Sequence, residues 1–129
     1  GQIDKGLMIL LAISEDDKAE DIDYMVDKII NLRIFEDDEN KMNLSLLDVG
    51  GELLVVSQFT LYGDCRKGRR PSFIKAARPE KAQQLYDQFI KKATDLNVRV
   101  QSGVFRADMT VYIENDGPVT LIVDSEKII

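Results

Sequence analysis

Residues 52–61 read ELLVVSQFTL, and this stretch decides how the rest of the chain is interpreted. Its first half is a continuous apolar run that follows the turn-forming pair Gly50-Gly51, a pattern typical of a strand buried on both faces. We therefore predict a strand over residues 52–59. Side chains alternate along a strand, so Gln58 and Thr60 are expected on one side, where an amide and a hydroxyl share the wall of a pocket.

The rest of the chain is predicted to alternate strands with two helices. Apolar residues at three- and four-residue spacing predict an amphipathic helix over residues 18–32, with acidic residues in its first turn. A second helix begins near Pro79, a residue suited to a first helical turn. Its apolar stripe is predicted to be Ala82, Leu85, Tyr86, Phe89, Ala93 and Leu96. The other strands are predicted at residues 7–13, 42–47, 98–101, 105–114 and 119–124, with a polar loop at residues 35–40.

These elements predict the α+β class, with a mixed sheet or barrel-like body and two helices packed outside it. A chain of 129 residues with 44% hydrophobic content is expected to form one domain without help from metal or disulfide. The longest apolar run, residues 7–13, is too short to cross a bilayer, and no basic-apolar leader precedes it, so no export signal is expected. The single cysteine, Cys65, cannot form an internal disulfide, which agrees with a cytoplasmic location.

Two features of the composition limit the chemistry. The chain has no histidine, which excludes Ser-His and Cys-His nucleophile pairs and the usual zinc sites. The net charge is −6, but residues 65–81 hold seven basic residues against Glu80, a local +6 that leaves −12 for the remainder. Such a stretch can hold a polyanion while the acidic body discourages unspecific adhesion to nucleic acid. The alternative interpretation is a solvated charged loop. The basic residues are Arg66, Lys67, Arg69, Arg70, Lys75, Arg78 and Lys81.

A second informative segment, residues 115–120, reads NDGPVT and lies between the last two predicted strands. Proline cannot donate to a strand ladder, so Asp116-Gly117-Pro118 alone predicts only a hairpin connection. In the same way, Phe59 and Leu61 taken alone are compatible with core residues, and Thr60 with the edge of a sheet.

Together, the segments at 57–61 and 115–120 resemble the signature pair of the D-aminoacyl-tRNA deacylases. Met42-Asn43-Leu44 and Arg69-Arg70-Pro71-Ser72-Phe73 lie between them in that family's order, and the resemblance extends from about Gly1 to Asp124. It implies a homodimer that hydrolyses the ester between a D-amino acid and tRNA, and that also accepts glycyl-tRNA mischarged on alanine tRNA. It implies no metal or organic cofactor, no membrane and no DNA.

The end of the predicted strand, where backbone N–H groups lose their sheet partners, and the resemblance together predict roles for the residues of the first segment. Backbone N–H groups of Phe59 and Thr60 would stabilise the oxyanion, while Gln58 and Thr60 would orient the ester beside Ser57. The family threonine that matches Thr60 has been considered as a nucleophile, but a threonine hydroxyl needs a base and no histidine is present. We therefore expect Thr60 to position the substrate, with the terminal ribose 2′-OH assisting the attack.

In the family that this chain resembles, the bond matching Gly117-Pro118 is cis, and the dipeptide enters the active site of the partner subunit. There the dipeptide would clash with the side chain of an L-amino acid but leave room for a hydrogen atom on the α-carbon. A D-amino acid or glycine would therefore be accepted as substrate. Three further groups of residues match the family: Phe105 and Met109 as pocket lining, Ala76 or Ala77 beside the terminal adenosine, and Arg69, Arg70 and Lys75 near phosphate. The spacing of Phe105 and Met109 is equally typical of core residues.

The chain departs from the family pattern in two places. Arg106 follows the pocket phenylalanine where the family commonly has glycine. The family's opening strand, with a Gln-Arg-Val segment whose arginine helps to hold the Gly-Pro dipeptide, is absent, so either the chain is shortened or this protein differs. A missing strand would expose a sheet edge. The alternatives are a non-catalytic RNA-binding or interaction module on the same fold and, more remotely, a general esterase that uses Thr60.

Overall fold

A three-stranded parallel sheet organises residues 1–129, which the computed structural model describes in full. The elements in chain order are β1 Gly6–Leu11, α1 Ala19–Asn31, β2 Phe35–Glu36, β3 Met42–Leu44, α2 Leu46–Val49, β4 Glu52–Ser57, α3 Pro79–Asp95 and β5 Val100–Ser102. The strand order of the sheet is β1-β4-β5, so β4 is central, and Leu11 lies opposite Ser57. The carboxyl ends of all three strands therefore lie at one edge of the sheet.

The central strand has the burial that its apolar sequence predicts. Leu53 and Val55 are fully buried, and Val56 is nearly so. The strand is shorter than predicted, however, because residues Phe59–Tyr62 form a 3-10 turn. The last hydrogen bond to β1 runs from the N–H of Gln58 to the carbonyl of Leu11 at 2.8 Å. Beyond it the neighbouring strand has ended, and the chain forms its own short-range hydrogen bonds instead.

Both predicted helices are confirmed. α1 buries Ile22, Val26, Ile29 and Ile30, and α3 buries the predicted stripe as far as Ala93. The two helices pack against each other and share one apolar core with the sheet. Leu96 is an exception, since it follows the last helical residue and is partly exposed. No helix combines the length and the apolar character that crossing a bilayer requires.

The predicted strand at residues 42–47 is only half correct. It ends at Leu44 because Ser45 starts the short helix α2, where the Ser45 hydroxyl accepts from the Asp48 N–H at 3.1 Å and the Asp48 carboxylate accepts from the Ser45 N–H at 2.8 Å. These reciprocal bonds form a capping box. The predicted loop at residues 35–40 is also partly wrong, since β2 pairs with β3 in an antiparallel ribbon.

The predicted strands at residues 105–114 and 119–124 are wrong for this chain, because no strand follows β5. A strand needs a neighbour that accepts and donates its backbone hydrogen bonds, and no other strand lies beside these segments. Most of their apolar side chains are instead exposed, and Tyr112 is 89% and Ile122 73% accessible, although Phe105 is partly buried against the core. The class is nevertheless the predicted one, a small α+β domain with parallel and antiparallel strands.

Candidate functional site

The carboxyl edge of the parallel sheet carries most of the residues that the sequence singles out. The chain leaves β4 at Ser57 and leaves β5 at Ser102, and the N–H of Gly103 donates to the carbonyl of Val55 at 3.1 Å. Loops beyond the carboxyl ends of parallel strands are a frequent place for ligand sites, because side chains from several strands converge there.

The 3-10 turn after β4 brings Gln58 and Thr60 into direct contact. The side-chain amide of Gln58 donates to the hydroxyl oxygen of Thr60 at 2.5 Å. This bond uses Thr60 as an acceptor and leaves its own hydroxyl hydrogen free to donate. No carboxylate, lysine or other base hydrogen-bonds to the Thr60 hydroxyl. The arrangement therefore suits a group that positions a ligand better than an activated nucleophile.

Free backbone donors lie at the same turn. The first N–H groups of a helical turn have no partner within it. The N–H groups of Phe59 and Thr60 donate none of the hydrogen bonds formed in loops or to side chains. Two adjacent N–H groups fixed in this way can stabilise an oxygen that becomes negatively charged.

The segment after β5 packs against the end of the sheet and against α3. A Cβ atom on Gly103 would lie 2.5 Å from the Met109 sulfur, so Met109 packs directly on the glycine backbone. Phe105 packs against Tyr86, with ring centroids 5.7 Å apart. The Tyr86 hydroxyl donates to the carbonyl of Val55 at 2.9 Å, and burial raises the pKa of this hydroxyl above its usual range.

Ala76 is held next to the end of β1. It forms an antiparallel bridge with Ser14, and the N–H of Ala77 donates to the carbonyl of Ile13 at 2.8 Å. The Glu15 carboxylate accepts from the N–H of Arg78 at 2.7 Å, at the start of α3. The structure therefore places Ala76 at the same edge of the sheet as Ser57 and Gly103.

Between the 3-10 turn and Ala76 the chain forms a closed loop over residues 64–72, which we call the basic loop. Asp64 and Ser72 exchange two backbone hydrogen bonds, of 2.7 and 3.0 Å. Arg66 donates to the Asp64 carboxylate through Nε at 2.9 Å and through a terminal nitrogen at 2.7 Å. These bonds lower the pKa of Asp64 to about 2. Arg69 and Arg70 lie exposed on this loop, and Lys75 lies exposed just beyond it.

An exposed aromatic pair, Phe59 and Phe73, lies beside the basic loop, and no role was predicted for Phe73. Phe59 and Phe73 meet edge to face, with ring centroids 5.2 Å apart and planes at 72°. Phe59 is 54% and Phe73 37% accessible. The only sequence signal for Phe73 was its place in the segment 69–73, because exposure of a phenylalanine cannot be read from apolar periodicity.

The segment 115–120 forms a turn that is held by its own side chains. The Asn115 side chain donates to the Thr120 hydroxyl at 3.0 Å and accepts from the N–H of Val119 at 3.2 Å. The Gly117-Pro118 bond is cis, as the resemblance implied, and Gly117 has a φ of +124°. Both residues are exposed, and no hydrogen bond joins this turn to residues 57–60 of the same chain.

Comparisons with known proteins show which family the sequence resembles over almost its whole length. The family model described as D-Tyr-tRNA(Tyr) deacylase matches residues 1–124. A D-aminoacyl-tRNA deacylase of Clostridioides difficile (strain 630) is 66% identical over 127 residues, which are 98% of this chain and 85% of the relative. One of Clostridium kluyveri is 68% identical over 128 residues, which are 99% of this chain and 86% of the relative.

Two solved structures are similar. One, titled "c-Myc DNA Unwinding Element Binding Protein", has a TM-score of 0.86 and 41% identity and covers 92% of this chain and 81% of its own. The other, titled "Structural Analysis of a probable eukaryotic D-amino acid tRNA deacylase", has a TM-score of 0.62 and 24% identity over 72% of this chain and 55% of its own, and it supports the fold alone.

The family match covers almost the whole chain, and the close relatives carry one activity. The reaction is hydrolysis of the ester bond in D-aminoacyl-tRNA, which removes D-amino acids from tRNA and so proofreads translation. tRNA is accordingly the partner of this protein. The chain belongs to the family of D-aminoacyl-tRNA deacylases.

Proposed function

We propose that the carboxyl edge of the sheet is the catalytic site and that two chains complete it as a homodimer. The N–H groups of Phe59 and Thr60 stabilise the oxyanion that forms on the ester carbonyl. The linked side chains of Gln58 and Thr60 orient the ester next to Ser57. The terminal ribose 2′-OH of the substrate assists the attack of water as a proton relay: it accepts a proton from the water and passes its own proton to the neighbouring ester oxygen that leaves, so that no protein base is needed. No metal or organic cofactor takes part.

Residues around this turn hold the rest of the substrate. Phe105 and Met109 line the pocket, and Ala76 borders the terminal adenosine. Arg69, Arg70 and Lys75 contact phosphates, in agreement with their exposure on and beside the basic loop. Since charged tRNA is used by the ribosome, we place this activity in the cytoplasm.

The Gly117-Pro118 turn of one chain enters the site of its partner. Its exposure in the single chain and the internal hydrogen bonds of Asn115 support this role, because the turn keeps its shape without resting on its own subunit. A rigid turn beside the α-carbon excludes L side chains by steric clash. Glycine has no side chain to exclude, so glycyl-tRNA mischarged on alanine tRNA is also hydrolysed.

The observation that carries this proposal is the pair of unpartnered N–H groups at Phe59 and Thr60 beside the Gln58–Thr60 hydrogen bond. The decisive experiment measures release of amino acid from D-tyrosyl-, L-tyrosyl- and glycyl-tRNA by the purified protein under single-turnover conditions. We expect the D-tyrosyl and glycyl esters to be hydrolysed at least about 100-fold faster than the L-tyrosyl ester, a difference of roughly 2.7 kcal/mol in activation free energy. Equal rates for D and L esters would contradict exclusion by the turn.

A second candidate is a nucleic-acid-binding module without turnover. It is favoured by the 41%-identical structure, whose title describes a binding protein for a DNA unwinding element. Binding of tRNA without release of any amino acid in the same experiment would support this candidate and contradict the catalytic assignment of Gln58, Phe59 and Thr60.

A further inference from the structure

The exposed rings of Phe59 and Phe73 are held in place by contacts with the rest of the chain. A Cβ atom on Gly63 would lie 3.0 Å from the Phe73 ring, so the ring rests on the glycine backbone. The edge-to-face contact with Phe59 fixes its other side. Two large aromatic side chains are thus held rigidly at the surface although each keeps more than a third of its area in water.

Unpaired positive charge lies close to Phe73 along the chain. Phe73 directly follows Ser72, the residue that closes the basic loop. Arg66 is occupied by Asp64, but Lys67, Arg69, Arg70 and Lys75 form no ion pair. A chain of phosphate groups carries the negative charge that would complement these four free cations. Rigid aromatic rings next to such cations are the combination that binds single-stranded nucleic acid, since bases stack on the rings and phosphates meet the cations.

We propose that the Phe59–Phe73 pair is a stacking platform for an unpaired base of the tRNA 3′ end, with the free cations of residues 67–75 on the flanking phosphates. The inference rests on the tRNA substrate of the family and adds a subsite for the bases that precede the terminal adenosine. Phe59 links the two regions, because its N–H belongs to the proposed oxyanion site while its ring lies in the platform. A base stacked there sits beside the nucleotide that carries the amino acid.

The test compares variants of Phe73 on two RNA probes. The first probe is an RNA hairpin of the tRNA acceptor stem with its unpaired 3′ end, and the second is the same hairpin with a blunt end. Phe73→Leu keeps an apolar side chain but removes the stacking face, so we expect its Kd for the first probe to rise by about 5- to 100-fold. Phe73→Tyr keeps the face and should stay within about twofold of the wild type. Ile74→Ala is the matched control, since Ile74 is 87% exposed and apolar but not aromatic.

Salt dependence and kinetics separate stacking from charge. Phe73→Leu should leave the slope of log Kd against log salt unchanged, whereas Arg70→Ala should reduce it by about 1. On D-tyrosyl-tRNA, Phe73→Leu should raise KM in the same proportion and leave kcat within about twofold. A direct measurement on the wild type needs no variant: ring protons of isotopically labelled Phe73 should shift upfield when the first probe is added and stay in place with the blunt probe.

Several results would overturn the platform. They are an unchanged Kd in Phe73→Leu, an equal loss of affinity for both probes, or absent ring-proton shifts in the wild type. A change in the oligomeric state of Phe73→Leu, measured by sedimentation, would instead assign the pair to an interface between two copies of this chain. Wild-type hydrolysis of D-tyrosyl-tRNA is independent of these results, so failure of the platform is distinguishable from failure of the catalytic proposal.

Discussion

Thr60 is the residue whose role depends most on local geometry. It accepts a hydrogen bond from Gln58 and touches no base, so it is expected to position substrate and not to attack it. Thr60→Ala should therefore slow single-turnover hydrolysis of D-tyrosyl-tRNA by about 3- to 10-fold, the effect of one net hydrogen bond of roughly 0.5–1.5 kcal/mol. Thr60→Ser, which keeps the hydroxyl, should stay near the wild-type rate.

The same assay tests where the base comes from. If Thr60→Ala abolishes turnover while the protein remains folded, the threonine is a nucleophile and our assignment is wrong. A substrate that lacks the terminal 2′-OH is the complementary control, because it removes the assisting group and leaves every protein side chain in place. Its hydrolysis at the normal rate would contradict assistance by the substrate.

At the level of single residues, the sequence predicted the placement of candidate site residues only where that placement depends on a short-range pattern. Gln58 and Thr60 are close in the chain, and the Gly117-Pro118 dipeptide is recognisable as a motif. The hydroxyl of Tyr86 was not predictable, because its partner Val55 is 31 residues away and the apolar stripe of α3 treats tyrosine as one more core residue. The exposure of Phe73 likewise depends on where the basic loop folds.

Among the elements, α3 connects the core to the site through Tyr86. Its hydroxyl bonds to the Val55 carbonyl, which also accepts from the N–H of Gly103, so removing the hydroxyl leaves no unpaired carbonyl. Tyr86→Phe should therefore lower the free energy of unfolding by only about 1 kcal/mol, measured by urea denaturation at neutral pH. Gln84→Glu, at an exposed position of the same helix, is the control and should change this free energy by less than about 0.5 kcal/mol. A loss above about 3 kcal/mol would mean that the hydroxyl does more than this geometry shows.

Helices and strands differed in how well the sequence predicted them. α1 and α3 are long and periodic, and their hydrogen bonds are internal, so the pattern is sufficient. The segments at 105–114 and 119–124 have strand-like apolar content, but a strand exists only where a neighbour pairs with it. α2 was missed because four residues are too few for a period, although Ser45 and Asp48 carry the capping signal.

At the scale of the whole molecule, residues 104–129 form an exposed apolar surface. An exposed apolar surface of this kind usually marks a site where a partner binds. Tyr112 and Ile122 are its most accessible large members before the terminus. We expect Ile122→Lys to shift the proposed homodimer towards monomer in sedimentation equilibrium and to reduce the D-to-L selectivity in parallel, because the Gly117-Pro118 turn would then leave the site that we propose it completes. Ile74→Lys, an equally polar change outside this surface, should keep the dimer. An Ile122→Lys protein that remains dimeric and fully selective would exclude this surface as the interface.

The bond between Asp64 and Arg66 has a consequence for the conditions under which the enzyme works. With a folded-state pKa of about 2, the Asp64 carboxylate stays charged at any acidity that a living cell survives. The ion pair with Arg66 is fully formed at every pH above the ordinary pKa of a carboxyl group. It is lost only as the pH falls through about 2. Acidification of the cell interior would therefore leave the ion pair between Asp64 and Arg66 formed.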